Sequence, residues 1–209
     1  MQLDLLNGGL EDPTVGEYVP TPAWVVRDLL QTPGVSVPHR GSSLRILDAC
    51  AGMGLIGMEL ERLAVEGAAD EGETRMRRPQ ITAVEAHPGR LERCPEHWQR
   101  ECAGVVEWCE QAQRDGRVFD LAICNPPFSM CFEIADALLK VRRPADGHVW
   151  MVGPWEYVAR VSRSAWWDAH PPEWVLRLKK RPWPAVVREC CWVGWAPRTT
   201  MTKLRRAGR

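Results

Sequence analysis

FDLAICNPPF, residues 119–128, places a buried strand directly before a stiff turn. Phe119–Cys124 is apolar apart from a single aspartate, which is the pattern of a parallel strand covered on both faces. Pro126 and Pro127 remove two backbone donors and hold φ at about −65°, and Pro126 also pushes Asn125 towards extended geometry. We therefore expect a rigid corner at the carboxyl end of a strand, where open α/β sheets bind their ligands.

The corner combines three groups that can contact a substrate: the Asn125 amide, the Pro126 carbonyl and the Phe128 ring. The oxygens of the first two can accept hydrogen bonds from an amino group, and a phenylalanine ring can stack on a flat partner. This set suits a planar substrate that carries an amino group. The alternative interpretation is an ordinary proline-rich turn after a core strand.

A second turn precedes this one in the chain. Leu44–Cys50 is predicted to be a strand, Ala51-Gly52-Met53-Gly54 a glycine turn, and Leu55–Glu66 a helix. Because glycine has no Cβ, the two glycines of the turn let the backbone approach a ligand closely. Gly57 completes a Gly-x-Gly-x-x-Gly pattern, so this segment alone is also compatible with a dinucleotide such as NAD.

Ile81–Glu85 is predicted to be the next strand, and it ends in an acid. A carboxylate at that point can accept charge-assisted hydrogen bonds from both hydroxyl groups of a ribose. The alternative is a surface acid that happens to end a strand.

Taken in this order, the glycine turn, the acid and the Asn-Pro-Pro-Phe turn resemble the class I S-adenosylmethionine-dependent methyltransferases. The resemblance covers about residues 15–155 and is strongest to the amino-methyltransferases with this turn, chiefly DNA adenine-N6 methyltransferases. It implies S-adenosylmethionine as the cofactor. It also implies a Rossmann-like α/β fold, a three-layer sandwich whose mixed seven-stranded sheet ends in an antiparallel hairpin.

The resemblance also assigns roles to individual residues. Tyr18 and Thr21 match a segment that contacts the methionine part of the cofactor in this family, and Glu107 and Trp108 match the position that contacts its adenine. The implied cofactor-binding residues are Tyr18, Thr21, Asp48, Ala49, Gly52, Gly54, Glu85, Glu107, Trp108 and Asn125. The implied catalytic residues are Asn125, Pro126, Pro127 and Phe128, and Phe128 is also expected to stack on the substrate base.

The rest of the chain is predicted to alternate helices and strands. The expected helices cover 23–30, with Thr21 as its cap, and then 91–102, 131–141 and 156–169. The expected strands cover 104–108, 147–152, 174–178 and 190–195. Too few residues join the last two strands for a crossover helix, so we expect an antiparallel hairpin at the sheet edge. We expect residues 1–209 to form a single domain, with an irregular lead-in at 1–17 and a basic tail at 197–209.

The composition is that of an ordinary globular protein, 209 residues long with 45% hydrophobic and 26% charged residues. No apolar run approaches the ~18 residues of a membrane span, and the first residues do not have the pattern of a signal peptide. Eight cysteines without a Cys-x-x-Cys pair indicate reduced thiols in a cytoplasmic protein. Zinc binding by Cys94, Cys102 and Cys109 with a nearby histidine is a weaker alternative, because the spacing fits no compact zinc module, and we expect no metal.

Positive charge is concentrated in the last third of the chain. Residues 1–137 contain 12 Lys/Arg and 22 Asp/Glu, whereas residues 138–209 contain 15 and 5. We interpret this basic third as a nucleic-acid-binding surface, with Lys180, Arg181 and Trp183 as candidate contact residues. A solvated basic face is the alternative.

The predicted function is methyl transfer to the exocyclic N6 of adenine in DNA. Related turns also serve guanine-N2 or adenine-N6 methylation in RNA, cytosine-N4 methylation in DNA and glutamine methylation in proteins, so these acceptors remain alternatives. A non-catalytic nucleic-acid-binding module is a further alternative. Residue types alone do not separate the acceptors.

Overall fold

A computed structural model describes residues 18–35, 37–38, 43–70, 78–159, 161–183 and 188–196. The predicted lead-in at 1–17 and the predicted basic tail at 197–209 lie outside these residues. The described chain contains seven α-helices and seven strands, which alternate as far as α6. In order they are α1 (Ala23–Leu30), β1 (Arg45–Ala49), α2 (Leu55–Asp70), β2 (Gln80–Glu85), α3 (Pro88–Leu91), β3 (Gln99–Cys102), α4 (Val105–Arg114), β4 (Leu121–Cys124), α5 (Cys131–Val141), β5 (His148–Pro154), α6 (Glu156–Ala159), α7 (Ser164–Ala169), β6 (Trp174–Arg177) and β7 (Cys190–Trp195).

The strands form one seven-stranded sheet in the order β3-β2-β1-β4-β5-β7-β6. The first five in this order are mutually parallel, whereas β7 runs antiparallel to both of its neighbours. Asp48 of β1 lies opposite Ala83 of β2 and Ile123 of β4. The predicted mixed sheet, including its antiparallel hairpin, is therefore confirmed.

Helices cover both faces of the sheet and create two apolar cores. On one face α4 and α5 pack against the strands, and on the other face α1 and α2 do so. β5 shows the consequence in a single strand, since Val149 and Met151 belong to the first core whereas Trp150 and Val152 belong to the second. A strand covered on both faces reads as a continuous apolar run, which is why β4 and β5 are so visible in the sequence.

The connection from β4 to α5 has the predicted form. All four residues of β4 are fully buried, and the chain then passes through a short 3₁₀ turn at Phe128–Met130 into α5. Ile134, Leu138 and Val141 are buried along one side of α5, as their helical spacing predicts. The proline-containing turn is therefore held between a buried strand and a buried helix.

Two predictions around β3 were wrong. Residues 91–102 do not form one helix: α3 ends at Leu91, and Gln99–Cys102 pairs with β2 instead. Pro95 lies inside this segment and would break a helix there. Residues 104–108 do not form a strand but begin α4, with Gly104 as its N-cap. The two adjacent valines favoured a strand, but the burial of residues 105, 108, 109 and 112 follows helical spacing.

Two smaller expectations also failed. Thr21 does not cap α1, because Pro22 is the N-cap and its carbonyl accepts the first hydrogen bond, from the Val25 N–H at 2.9 Å. The helix predicted over 156–169 is broken into α6, a 3₁₀ turn at Val161–Arg163 and α7. The sequence from 161 to 164, Val-Ser-Arg-Ser, has weak helix propensity, which explains the break.

Candidate functional site

A cavity of about 300 Å³ lies at the carboxyl ends of the parallel strands. Residues that directly follow β1, β2, β3 and β4 all contribute to its wall. The lining residues are Tyr18, Val19, Pro20, Thr21, Cys50, Ala51, Leu55, Ile56, Val84, Glu85, Ala86, Arg90, Ala103, Gly104, Val105, Glu107, Asn125, Pro127, Met130 and Ile134. Six of the predicted site residues therefore share one cavity: Tyr18, Thr21, Glu85, Glu107, Asn125 and Pro127.

The glycine turn has an unusual backbone that only glycine adopts readily. Gly52 and Gly54 have φ of 56° and 77°, and Cys50 just before them has φ of 52°. A Cβ on Gly52 would collide with the Tyr18 ring, and a Cβ on Gly54 would lie 2.9 Å from the Trp98 ring. Gly52 and Gly54 do not line the cavity, and the groups that approach them closely are side chains of the protein, so the predicted approach to a ligand stays a prediction.

Glu85 joins the end of β2 to this turn. The carboxylate is 7% exposed; Oε2 accepts the Gly52 N–H at 2.8 Å and Oε1 accepts the His87 N–H at 3.0 Å. Arg90 lies 3.7 Å from Oε1. Each carboxylate oxygen can accept more than one hydrogen bond, so Glu85 can both support the turn and bind a hydroxyl group in the cavity.

Asp48 and Ala49 lie beneath the turn, in β1, and do not line the cavity. Asp48 is fully buried; its Oδ2 accepts the Gly57 N–H at 3.0 Å, and its Oδ1 has no hydrogen-bond partner among the described residues. Burial raises the pKa of Asp48 from 3.8 to about 7; the Gly57 N–H opposes this rise, and the negative charge of Glu85 adds to it. A buried acid thus supports the turn from below.

Residues Tyr18–Thr21 form one wall of the cavity, and we call this segment the N-terminal strap. The Val19 carbonyl accepts the Asn125 Nδ2–H at 2.8 Å, and the Pro20 carbonyl accepts the Trp183 indole N–H at 2.8 Å. The Tyr18 ring lies under Arg90, whose guanidinium carbon is 4.2 Å from the ring centroid. The strap therefore connects the glycine turn with the Asn-Pro-Pro-Phe turn.

The Asn-Pro-Pro-Phe turn presents its amide and one proline to the cavity. Asn125 and Pro127 line it, whereas Pro126 is buried beneath. Since the Asn125 amide nitrogen donates to Val19, Oδ1 is the polar atom of that side chain left to accept a hydrogen bond. Phe128 is half-buried and packs against Trp183, with ring centroids 6.2 Å apart.

Glu107 and Trp108 occupy different places although they are neighbours in sequence. Glu107, in the first turn of α4, lines the cavity and lies against Gly104. Trp108 points into the core, where its ring centroid lies 6.0 Å from that of Phe119. The strand predicted at 104–108 would have put them on opposite faces of a sheet edge, whereas the helix leaves only the acid at the cavity.

The structure adds cavity residues that the sequence argument did not identify, notably Arg90, Val105, Met130 and Ile134. Arg90 lies five positions after the acid that ends β2. Its place at the cavity can be recognised only once α3 is known to fold back towards the end of that strand. Val105 is predicted to lie in a strand, and this wrong prediction hides its place in the cavity wall. Met130 and Ile134 lie at the start of α5, where helix periodicity alone assigns them to the core.

The basic link between β6 and β7 is less uniformly exposed than its sequence suggests. Lys179 pairs with Asp28 at 2.9 Å, and Trp183 is only 4% exposed. Lys180 lies over the Trp24 ring at 4.6 Å from its centroid, and Arg181 is exposed. Within the described part of the link, the exposed cations are Lys179, Lys180, Arg181 and Arg188, of which Lys179 is ion-paired.

The cysteines of the described chain form no disulfide with one another, and among them Cys102 is the exposed one. Over the described ranges, no group of three or more His, Cys, Asp or Glu side chains is placed to hold a metal ion. None of the helices in the described part of the chain is long and apolar enough to cross a membrane.

No protein-family model and no curated protein sequence matches this chain. Solved structures do match, at low sequence identity. They include a precorrin-6y C5,15-methyltransferase from Geobacter metallireducens (14% identity, TM-score 0.52, 83% of this chain and 86% of that chain). They also include the magnesium protoporphyrin IX methyltransferase from Synechocystis with bound S-adenosylmethionine (9%, 0.52, 83% and 76%) and a precorrin-8w decarboxylase from Methanobacterium thermoautotrophicum (12%, 0.54, 89% and 95%).

These similarities show that the chain has the α/β Rossmann-like fold of class I methyltransferases, with its mixed seven-stranded sheet. They show the fold alone, and one of the three proteins is a decarboxylase by name. The fold therefore does not determine the reaction, which depends on the cavity and its residues.

Proposed function

We propose that this protein is an S-adenosylmethionine-dependent N-methyltransferase that methylates the exocyclic N6 of adenine in DNA. The observation that carries the proposal is that Asn125, oriented by its bond to Val19, shares one cavity with Glu85 and the N-terminal strap. Two separate sequence motifs thus converge on the carboxyl edge of the sheet, where α/β folds bind ligands.

The cavity suits S-adenosylmethionine in its chemistry. Glu85 offers carboxylate oxygens suited to ribose hydroxyls, and the apolar side chains of Val84, Val105 and Ile134 suit a flat purine. Ala51 of the glycine turn and Tyr18 and Thr21 of the N-terminal strap line the cavity and provide the backbone and hydroxyl groups that a methionine moiety needs. When bound, the cofactor would supply a methyl group already activated by its sulfonium.

The Asn-Pro-Pro-Phe turn supplies what an amine acceptor requires. The lone pair of an exocyclic amine is delocalised into its ring, and two acceptors placed on the amino protons favour its localisation on nitrogen. In our proposal the Oδ1 of Asn125, which lines the cavity, is one of these acceptors, and the carbonyl of Pro126, a buried residue that does not line the cavity, is the other. They also stabilise the positive charge that develops on the nitrogen, so the contribution is electrostatic and no side chain has to act as a base.

The choice of adenine in DNA rests on the surroundings of the turn. Phe128 offers a ring for stacking on the base, and Lys180 and Arg181 provide exposed positive charge in the hairpin link for phosphates. A base inside a duplex would have to be flipped out of the stack to reach the cavity. The same amide and aromatic pair would also fit RNA bases or a protein glutamine, so the assay has to include them.

The test is methyl transfer from labelled S-adenosylmethionine to unmodified DNA, RNA and protein in parallel, followed by digestion and identification of the labelled product. We expect N6-methyladenine from DNA. Label in RNA or protein alone would move the proposal to that acceptor. Absence of cofactor binding in calorimetry would instead favour a non-catalytic nucleic-acid-binding module.

Asn125→Ala tests the role of the amide in this assay. Loss of one preorganised acceptor should lower the rate by about 10²–10³-fold. Cofactor affinity should change little, because Glu85 and the glycine turn remain. A variant that keeps the wild-type rate would rule out the proposed role of the amide.

A further inference from the structure

Two consecutive carbonyl groups of the N-terminal strap are held by side chains from distant parts of the chain. Val19 accepts from Asn125, 106 residues away, and Pro20 accepts from Trp183, 163 residues away. Both bonds are 2.8 Å long, which is normal for a good N–H···O bond. The strap thus connects the hairpin link to the Asn-Pro-Pro-Phe turn.

Trp183 is well placed to be rigid. Its side chain is 4% exposed, its indole N–H is bonded to Pro20, and its ring packs against Phe128 at 6.2 Å between centroids. It does not line the cavity. A buried indole whose N–H is already hydrogen-bonded is not open for stacking on a base. The nucleic-acid contact predicted for Trp183 from the sequence therefore does not fit its position.

The orientation of Asn125 is the property that Trp183 can influence. An asparagine amide has a donor end and an acceptor end of nearly the same shape, and only the acceptor end suits an amino group. The Val19 carbonyl accepts the donor end and so leaves Oδ1 as the acceptor. If Val19 moved, the amide could turn over and present its N–H groups to the substrate amine.

We propose that Trp183 is a positioning residue for the methyl acceptor: by holding the Pro20 carbonyl, it fixes the neighbouring Val19 carbonyl that orients the Asn125 amide. This inference rests on the proposed function. It gives the hairpin link a part in the chemistry of the turn, in addition to any contact of its basic residues with nucleic acid.

Trp183→Phe tests the inference, because it keeps an aromatic ring at this buried position and removes the indole donor. It also removes the volume of the second ring, a loss that the control variant shares. We expect kcat for methyl transfer to fall about 5- to 10-fold, the loss that one hydrogen bond typically brings, with KM for the cofactor within about twofold of wild type. Trp192→Phe is the matched control. Trp192 is buried in the same core and donates to the Val25 carbonyl at 3.1 Å, which belongs to α1 and not to the strap. The kcat of Trp192→Phe should therefore stay unchanged.

Repeating Trp183→Phe in a second variant separates an effect on the orientation of the residue-125 side chain from an effect on general stability. In Asn125→Asp the carboxylate has two equivalent acceptor oxygens and no donor end, so it has no orientation to lose. Trp183→Phe should therefore lower kcat in the wild-type background and have no further effect in the Asn125→Asp background. Equal losses in both backgrounds, or an unchanged kcat in the single variant, would overturn the inference.

A spectroscopic measurement keeps the inference testable even if no acceptor is found. In a ¹⁵N-labelled protein, the side-chain amide signal of Asn125 is identified by its disappearance in Asn125→Asp. We expect slow solvent exchange of its N–H protons in wild type and in Trp192→Phe, and faster exchange in Trp183→Phe. Equal exchange in all three would overturn the inference, whereas failure of methyl transfer with this pattern intact would count against the proposed function alone.

Discussion

The two ends of the cavity are built in different ways. At the glycine-turn end (Cys50–Gly54 with Glu85), the supporting bonds join residues that are 9 and 33 positions apart, Gly57 to Asp48 and Gly52 to Glu85. At the proline-turn end (Asn125–Phe128 with Trp183), the corresponding bonds span 106 and 163 positions. One end is therefore specified by short sequence motifs, and the other depends on the assembled fold.

This difference predicts different sensitivities. Changes at the glycine-turn end should act locally, through backbone geometry and the buried acid. Changes at the proline-turn end should act through packing of the antiparallel hairpin. The following substitutions test the contrast, in order of decreasing expected effect.

Gly52→Ala should have the largest effect on the glycine-turn end. Alanine at φ of 56° costs about 1–2 kcal/mol, and its Cβ would also displace the Tyr18 ring. We expect at least about tenfold weaker S-adenosylmethionine binding in calorimetry. Gly116→Ala is the control, because Gly116 has φ of 67° but open space around it. It should lose stability without losing affinity; equal losses of affinity would contradict a local role for Gly52.

Gly194→Ala should be the most damaging glycine change in the hairpin. A Cβ on Gly194, in β7, would collide with the Trp150 ring, and overpacking of this kind costs about 1–3 kcal/mol. We expect a lower urea midpoint with an unchanged slope. Gly153→Ala, whose Cβ would meet only Cys131 Sγ at 3.8 Å, should be nearly neutral. Similar losses in both variants would mean that packing on Trp150 is not the cause.

The pH dependence of stability should report on Asp48. Its folded-state pKa of about 7 exceeds its ordinary value of 3.8, so between these values the folded state binds more protons than the unfolded state. The free energy of unfolding should therefore fall as pH rises from about 4 to about 7, by at most ~1.4 kcal/mol per pH unit from this residue. Asp48→Asn keeps an acceptor for Gly57 but cannot ionise. The free energy of unfolding of this variant, measured with urea at several pH values, should depend less on pH. A pH dependence parallel to that of wild type would contradict the assignment.

The smallest effect is expected in the basic link. Replacing Lys180 and Arg181 by alanine should weaken DNA binding a few-fold and make the slope of log K against log[salt] less negative by about 2. Lys140→Ala is the control, since Lys140 pairs with Asp136 on α5 at 2.6 Å. Titrations at several salt concentrations measure the slope. An unchanged slope in the double variant would exclude these residues from the interface.

The sequence predicted the parts of this molecule that local patterns specify. The buried run before Asn125, the glycine turn after β1 and the acid at the end of β2 were recognisable because each motif is contiguous, and the strands were recognisable because both of their faces are buried. The hairpin followed from the shortness of its link. Together these features predict a site at the carboxyl edge of the sheet, which is where the structure has the cavity.

The errors came from segments where tertiary contacts override local preference. Val105-Val106 has the composition of a strand, but its neighbours at helical spacing are the ones the core buries. Trp183 resembled an exposed aromatic contact, yet its partners Pro20 and Phe128 are distant in sequence. No local pattern could have predicted the bond from Asn125 to Val19, because the N-terminal strap and the Asn-Pro-Pro-Phe turn are 106 residues apart and meet only in the complete fold.

The two outermost strands of the described sheet, β3 and β6, have a consequence for the behaviour of the protein in solution. Each is only four residues long; β3 reads Gln-Arg-Glu-Cys, and β6 ends in exposed Arg177. Short strands with charged side chains are poor templates for pairing with another chain. The long apolar strands that resemble aggregation-prone segments, β5 and β7, lie side by side in the interior of the sheet, where their backbone groups are already paired. Concentrated samples should therefore resist fibre formation for as long as the hairpin stays folded.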